Sequence, residues 1–191
     1  MRLILGSSSP FRRALLEKIY SSFSWQSPEI DETPRPNEKP STLVQRLSLA
    51  KAKKIAETEK NALIIGSDQV ATFQDQIIGK PHTHEKAIQQ LSAFSNQTVI
   101  FYTGLCLLNT ETNHHQLIVE PFSVRFRKLS LEKIERYLTI EKPYQCAGSF
   151  KSEGLGICLF EKLTGDDPNS LIGLPLIKLI VMLENEGIYI P

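Results

Sequence analysis

Little in this chain is suited to cross-linking, to a membrane or to a polyanion. It has three cysteines in 191 residues, Cys106, Cys146 and Cys158. Their odd number and wide spacing exclude a C-x-x-C zinc knuckle and a disulfide framework, so reduced, mostly buried thiols are expected. No run approaches the roughly 18 apolar residues of a membrane span. Leu3 to Leu5, followed by Gly6 and three serines, is too short for the apolar region of a signal peptide. A cytoplasmic protein with no membrane partner is expected. Excess charge is missing as well: 22 Lys and Arg stand against 21 Asp and Glu, a net charge of +1. Duplex nucleic-acid binders are usually far more basic, so no nucleic-acid partner is expected and any anion site must be local.

Several catalytic patterns are also absent. There is no G-x-x-x-x-G-K-[ST], which excludes a P-loop as a sequence assignment. Gly154-x-Gly156 lacks the third glycine of a dinucleotide fingerprint. Ser48-x-x-Lys51 is not followed by the K-T-G of serine acyl-transfer enzymes. His82, His84, His114 and His115 have neither the i,i+4 spacing nor the Cys partners of a zinc site and read as surface residues.

What is present is an ordinary globular composition, 41% hydrophobic and 23% charged, at a length that buries about 70% of the extended surface. A single domain over 1–191 is the expectation. Leu3 to Leu5 read as a buried strand and Phe11, Ala14, Leu15 and Ile19 as the inner face of a helix, with Ser9 at the N-cap and Pro10 at N1. Ser27 to Pro40 holds four prolines and reads as a loop. Ser41 is expected to cap a helix running to about Glu59. Ala62 to Ile65 is a second apolar strand ending at Gly66-Ser67-Asp68-Gln69, and Val70–Phe73 with Gln76–Ile78 reads as a hairpin. Thr83 to Phe94 is helical, Thr98–Leu108 and Gln116–Phe126 are strands, and Ser130 opens another helix. Gly154 to Leu163 is strand-like, and Pro175 to Glu186 is a last helix with Pro at N1. This alternation predicts an α/β sheet with helices packed on it.

Four places carry candidate chemistry. In Gly6-Ser7-Ser8-Ser9-Pro10-Phe11-Arg12-Arg13 a strand passes through small hydroxyl residues into a helix start, where free N–H groups and the helix dipole favour an anion. Arg12 and Arg13 oppose that dipole unless a phosphate lies between them. The simpler reading is a helix cap, with Arg13 pairing Glu17 at i,i+4 for about 0.3 kcal/mol. Lys51 falls on the apolar stripe of Val44, Leu47 and Ile55, so it must either snorkel to the rim or meet a buried anion. Asp68 follows an apolar strand at its carboxyl end, where α/β ligand sites gather. There an acid can activate water or hold a metal, or merely cap an Asx-turn. Asp31 and Glu32 add carboxylates for a divalent cation or are surface charges. Lys80 in Gly79-Lys80-Pro81 and Lys151-Ser152-Glu153-Gly154 complete the set, each ordinary turn chemistry by itself.

Taken together, Leu3 to Arg13, Asp31-Glu32-Thr33-Pro34, Gly66-Ser67-Asp68-Gln69, Gly79-Lys80-Pro81 and Ile172-Gly173-Leu174-Pro175 resemble the Maf family of nucleoside triphosphate pyrophosphatases over essentially the whole chain. Phe11, Gln69 and Cys146 to Gly154 are similar to the branch acting on 7-methyl-GTP. The dTTP and UTP branch has Arg, Thr and Gln-Gly at the corresponding places. The methylated-guanine branch often has Trp where Phe11 stands.

The resemblance implies a twisted mixed sheet flanked by helices, a Maf/Ham1-like (ITPase-like) architecture with a cleft between two lobes. It implies hydrolysis between the α and β phosphates with a divalent metal, Mg or Mn. Asp68 is then the proton acceptor, Phe11, Gln69 and Glu153 set specificity, and Arg12, Lys51 and Lys80 contact phosphate beside Ser7 and Ser8. Glu32 joins Asp68 as a metal or water-positioning carboxylate. The partner is a nucleoside triphosphate, and a homodimer is compatible with the reading. The rivals are a pyrophosphatase for dTTP, UTP or other modified nucleotides, and a nucleotide-binding regulator of cell division.

Overall fold

Leu3, Ile4 and Leu5 are almost wholly buried, as an apolar strand covered on both faces must be. In the computed structural model, which describes residues 1–191, they form β1 (Arg2–Gly6). The other strands are β2 (Phe23–Gln26), β3 (Ala62–Phe73), β4 (Gln76–Ile78), β5 (Thr98–Asn109), β6 (His115–Phe126) and β7 (Phe160–Thr164). They make one seven-stranded sheet in the order β2-β1-β3-β5-β6-β7, with β4 on β3. It is mixed: β1 runs parallel to β2 and to β3, whereas β4 is antiparallel to β3 and β7 to β6. The helices are α1 (Pro10–Glu17), α2 (Pro40–Ala56), α3 (His84–Phe94), α4 (Leu131–Glu141), α5 (Pro168–Ile172) and α6 (Leu176–Asn185). No helix is long and apolar enough to cross a membrane. The chain groups into two compact units, 1–69 with 102–120 and 167–191, and 70–101 with 121–166.

In the first unit the alternation along each strand sorts the core into two layers. Ile4, Ala62, Ile64, Cys106 and Leu108 pack with Ala52 and Ile55 of α2. Leu3, Leu5, Leu63, Ile65, Leu105 and Leu107 pack with Leu15 and Leu16 of α1 and with Leu176, Leu179 and Leu183 of α6. The α2 side is unusually close. A Cβ on Gly66 of β3 would stand 2.1 Å from the Ser48 carbonyl oxygen and 2.9 Å from the Ala52 nitrogen. A Cβ on Gly104 of β5 would stand 2.3 Å from the Val44 carbonyl oxygen. Two side-chain-free positions on neighbouring strands thus form a trough that takes the helix backbone itself.

The second unit is held by phenylalanine. Six of the chain's nine, namely Phe73, Phe94, Phe101, Phe126, Phe150 and Phe160, form a chain of tilted and edge-to-face contacts with centroids 4.9 to 5.6 Å apart. That is the geometry the ring quadrupole favours.

The structure departs from the sequence expectations at several points. Strand β3 does not stop at Ile65 but continues through Gly66-Ser67-Asp68-Gln69 to Phe73, because Gly66 pairs with Gly6 in the ladder and the polar side chains find partners described below. Ser41 is not a cap: Pro40 opens α2 after Lys39, which has extended dihedrals and no side-chain cap bond. Helix α2 ends at Ala56 rather than Glu59. Residues 155–159 wind as a 3-10 helix, so β7 begins only at Phe160. Pro175 is the N-cap of α6 and not N1. Strand β2 and the five-residue α5 have no counterpart in the sequence reading, since neither is long enough to show a period. Of the thiols only Cys106 is buried, Cys146 being half-buried and Cys158 exposed. Burial pushes the Cys106 thiol up to about 12.

The trough yields a stability prediction. Gly66→Ala and Gly104→Ala should each push α2 off the sheet and cost about 1–3 kcal/mol, the usual range for overpacking. Gly79→Ala, where nothing lies within 4 Å of the added atom, should be close to neutral. Denaturant midpoints of the three variants measure this.

Candidate active site

The trough places Lys51. It lies one turn beyond Ser48 on α2 and is 6% exposed. Its ammonium donates to Asp68 Oδ1 at 2.6 Å and stands 2.9 Å from Glu32 Oε1. The open choice at Lys51 is therefore resolved: it meets a buried anion. Asp68 shares the strand parity of Ile64 and Gly66, so its side chain faces α2, and it too is 6% exposed. It is not an Asx-turn cap, because it lies within β3. Two charges removed from water to this degree are tolerable only as a close, hydrogen-bonded pair.

On the other face of β3 stands the serine-rich bend. Ser9 caps α1, its hydroxyl accepting from the Arg12 amide at 3.3 Å, while Ser7 Oγ accepts from the Ser9 amide at 3.2 Å. Ser7 is buried and Ser8 exposed. Arg12 folds back over the bend. Its Nε donates to the Gly173 carbonyl at 2.8 Å and its Nη1 lies 3.4 Å from Ser7 Oγ. Burial lowers the Arg12 pKa from its ordinary value, while the negative charges of Asp68 and Glu32 act to raise it, so the guanidinium lies within electrostatic reach of both carboxylates. The same Gly173 oxygen is 2.9 Å from Ser67 Oγ, and Gly173 has a φ of +124°, a conformation that favours glycine. Arg13 turns elsewhere: its guanidinium stacks over Trp25 of β2, 4.2 Å from the ring centroid, so the expected pairing with Glu17 is replaced by a cation–π contact. Phe11, at 38% exposure, presents its ring to solvent.

Gln69 points to the α5 side and is fastened by its nitrogen. Nε2 donates to the Ser170 carbonyl at 2.7 Å, to Thr103 Oγ1 at 2.9 Å and to the Leu171 carbonyl at 3.2 Å. Thr103, fully buried, spends its own proton on Ser170 oxygen at 2.8 Å, so towards Gln69 it can only accept. Flipping the amide would set its oxygen against two carbonyls. The Gln69 oxygen therefore faces outward, and it is not a buried unpartnered atom.

Lys80 and Glu153 belong to the second unit, and both are exposed. Burial raises the Cys146 pKa, Glu153 raises it further, and Lys151 and Lys80 lower it, so these charges share one neighbourhood around that thiol. Lys151 itself is engaged with Glu141 at 3.1 Å.

Sequence reasoning missed Thr103, Ser170, Arg46 and Glu38. None stands in a recognisable motif: Thr103 and Ser170 meet Gln69 from 34 and 101 residues away, and Arg46 meets Glu38 eight residues away across the Pro-rich loop. For a divalent cation, the residues offer Glu32 and Asp68 on either side of Lys51, and nowhere does a group of three or more His, Cys, Asp or Glu come together to hold one. That donor set fits a magnesium-like ion, which takes one or two carboxylates and completes its shell with substrate phosphates and water.

Removing Lys51 alone should expose the cost of the buried acid. Lys51→Met is expected to destabilise the fold by about 3 kcal/mol, whereas Lys51→Met with Asp68→Asn should recover a substantial part of the loss, since an unpaired buried charge is worse than none. Urea unfolding of both variants checks the difference.

Against this geometry the comparisons are specific. A family model described as Maf-like protein matches residues 2–186. A 7-methyl-GTP pyrophosphatase of Colwellia psychrerythraea is 55% identical over 186 residues, covering 97% of this chain and 93% of that protein. One of Nitrosococcus oceani is 56% identical over 185 residues with the same coverage. Among solved structures, a HAM1 protein from Coxiella burnetii superposes with a TM-score of 0.54 at 14% identity, covering 97% of this chain and 99% of that one. The Staphylococcus aureus Ham1 protein gives 0.52 at 12%. These two likenesses show the fold, a mixed sheet with helices as the sequence implied. The match from residue 2 to residue 186, with relatives more than half identical along nearly their full length, makes the chain a member of the Maf family.

Proposed function

We propose that this chain hydrolyses 7-methyl-GTP between its α and β phosphates, giving 7-methyl-GMP and pyrophosphate. The observation that carries the reading is Asp68: a carboxylate inside β3, two residues past the end of its pairing with β1, 6% exposed yet kept beside a lysine, with Arg12 in electrostatic reach. Curated relatives at 55% and 56% identity bear the name of that activity.

In this reaction Asp68 accepts a proton from water as its oxygen bonds to phosphorus and the α–β bridge breaks, a contribution of roughly 10²- to 10⁴-fold for a positioned base. Lys51 and Arg12 meet the negative charge that spreads over the phosphoryl oxygens. Such groups act through preorganisation, because they are held before substrate arrives. Ser7 and Ser8 line the bend that receives the phosphates. A divalent cation, Mg or Mn, held by Glu32 and Asp68 would supply further neutralisation of the triphosphate.

The base is selected by two residues of the first unit, Gln69 and Phe11. The outward oxygen of Gln69 accepts from a donor edge, which guanine presents as N1–H and the N2 amino group. Phe11 stacks on the ring that N7 methylation makes cationic, an interaction worth about 0.5 to 2 kcal/mol. A neutral pyrimidine gains neither the charge term nor the second donor.

A panel of nucleotides assayed for pyrophosphate release with Mg²⁺ or Mn²⁺ should show 7-methyl-GTP as the best substrate, and chelation should stop the reaction. Efficient cleavage of dTTP or UTP with none of 7-methyl-GTP would overturn the substrate assignment. Asp68→Asn should abolish turnover while nucleotide affinity, measured by calorimetry, stays largely intact. A wild-type protein that binds nucleotide and releases nothing with any metal would instead be a regulator.

A further inference from the structure

The segment that carries Glu32 has no regular structure. Between β2 and α2 the chain passes through Pro28, Pro34 and Pro36, and the Glu32 side chain is 56% exposed. A carboxylate on such a loop would be free to wander, yet it stands 2.9 Å from the Lys51 ammonium.

What restrains the loop is a guanidinium on the same helix as Lys51. Arg46 donates from Nε and from Nη2 to the two carboxylate oxygens of Glu38, each at 2.7 Å. Its Nη2 also reaches the Thr33 carbonyl oxygen at 3.2 Å, in the residue directly after Glu32. Glu38 in turn accepts from the Arg35 amide at 3.0 Å, and Asp31 accepts from the Thr33 amide at 2.9 Å. One side chain thus holds the loop at both 33 and 38. The Glu38 side chain is only 5% exposed. Its hydrogen bonds to Arg46 and to the Arg35 amide pull its carboxyl down to about 2, so the pair stays ionised across the neutral range. A planar fork facing a carboxylate fixes direction as well as distance, and lysine cannot reproduce it.

We propose that Arg46 is a positioning residue: through Glu38 and the Thr33 carbonyl it holds Glu32 against Lys51, and so sets where the second carboxylate of the site stands relative to Asp68. The kinetic part rests on the role of Glu32 in the proposed reaction; the structural part does not.

The test is a mutant cycle on the full chain with an independent structural readout. Arg46→Lys keeps the charge and loses the fork; Glu38→Gln removes the acceptor charge. In the unliganded protein each should speed hydrogen exchange at the Thr33 and Arg35 amides by roughly tenfold or more, the scale of one charge-assisted hydrogen bond. With 7-methyl-GTP and Mg²⁺, Arg46→Lys should lower kcat by roughly 10- to 100-fold, as loss of an orienting partner does, with KM nearly unchanged. In a Glu32→Gln background the same substitution should add nothing. Full additivity of the two substitutions, or wild-type kcat and wild-type exchange in both Arg46→Lys and Glu38→Gln, would overturn the proposal. If the wild type hydrolyses no nucleotide, the reaction is wrong, and the exchange rates alone then decide whether Arg46 holds the loop.

Discussion

The buried pair of Lys51 and Asp68 is the contact on which the rest of the first unit turns. Neither charge is tolerable where it lies without the other, and the pair forms only because α2 comes within backbone contact of the sheet. That approach needs Gly66 and Gly104, where any side chain would collide with Val44, Ser48 or Ala52. Two absent side chains on β3 and β5 therefore decide where an ammonium group stands on α2. The ion pair is weak evidence for stability and strong evidence for a constraint, since a leucine–methionine contact would fill the same space with no desolvation cost.

The chain is nearly neutral, with a net charge of +1, yet it concentrates charge locally. Lys51 stands between Asp68 and Glu32, and Arg12 feels both acids. An arrangement of alternating sign is stable without a ligand, because each charge already has its counter-charge. Such an arrangement needs no basic surface, which is how a chain with a net charge near zero can still hold a dense local cluster of charge.

Much of this was legible in the sequence. The apolar runs of β1 and of the first half of β3 identify themselves, as does Ser9-Pro10 at the start of α1, because capping and burial are local matters. Lys51 stood out as a cation on an apolar stripe, but the choice between the rim and a buried anion is made only by the fold, which sets it against Asp68. The misreadings share one cause. Gly66-Ser67-Asp68-Gln69 has turn composition, but its polar groups are satisfied by Gly104, Gly173, Lys51, Thr103 and Ser170, all far away in sequence, and long-range partners override local preference. Arg46 and Glu38, only eight residues apart, were invisible for a different reason. Both are charged residues in charged surroundings, and only the folded chain shows that they grip each other across a loop.

In the first half of β3, side chains at even positions face α2 and those at odd positions face α1 and α6, with Gln69 reaching α5, so Asp68 and Gln69 are neighbours in the chain and strangers in space. The two side chains thus sit in different chemical neighbourhoods, each with its own partners. Gln69 can therefore be exchanged without disturbing the ion pair behind Asp68, so the two faces of one strand are free to vary separately. The same alternation makes the strand intolerant of insertion or deletion: slipping it by a single residue would present an amide to the ammonium and bury the acid against two carbonyls.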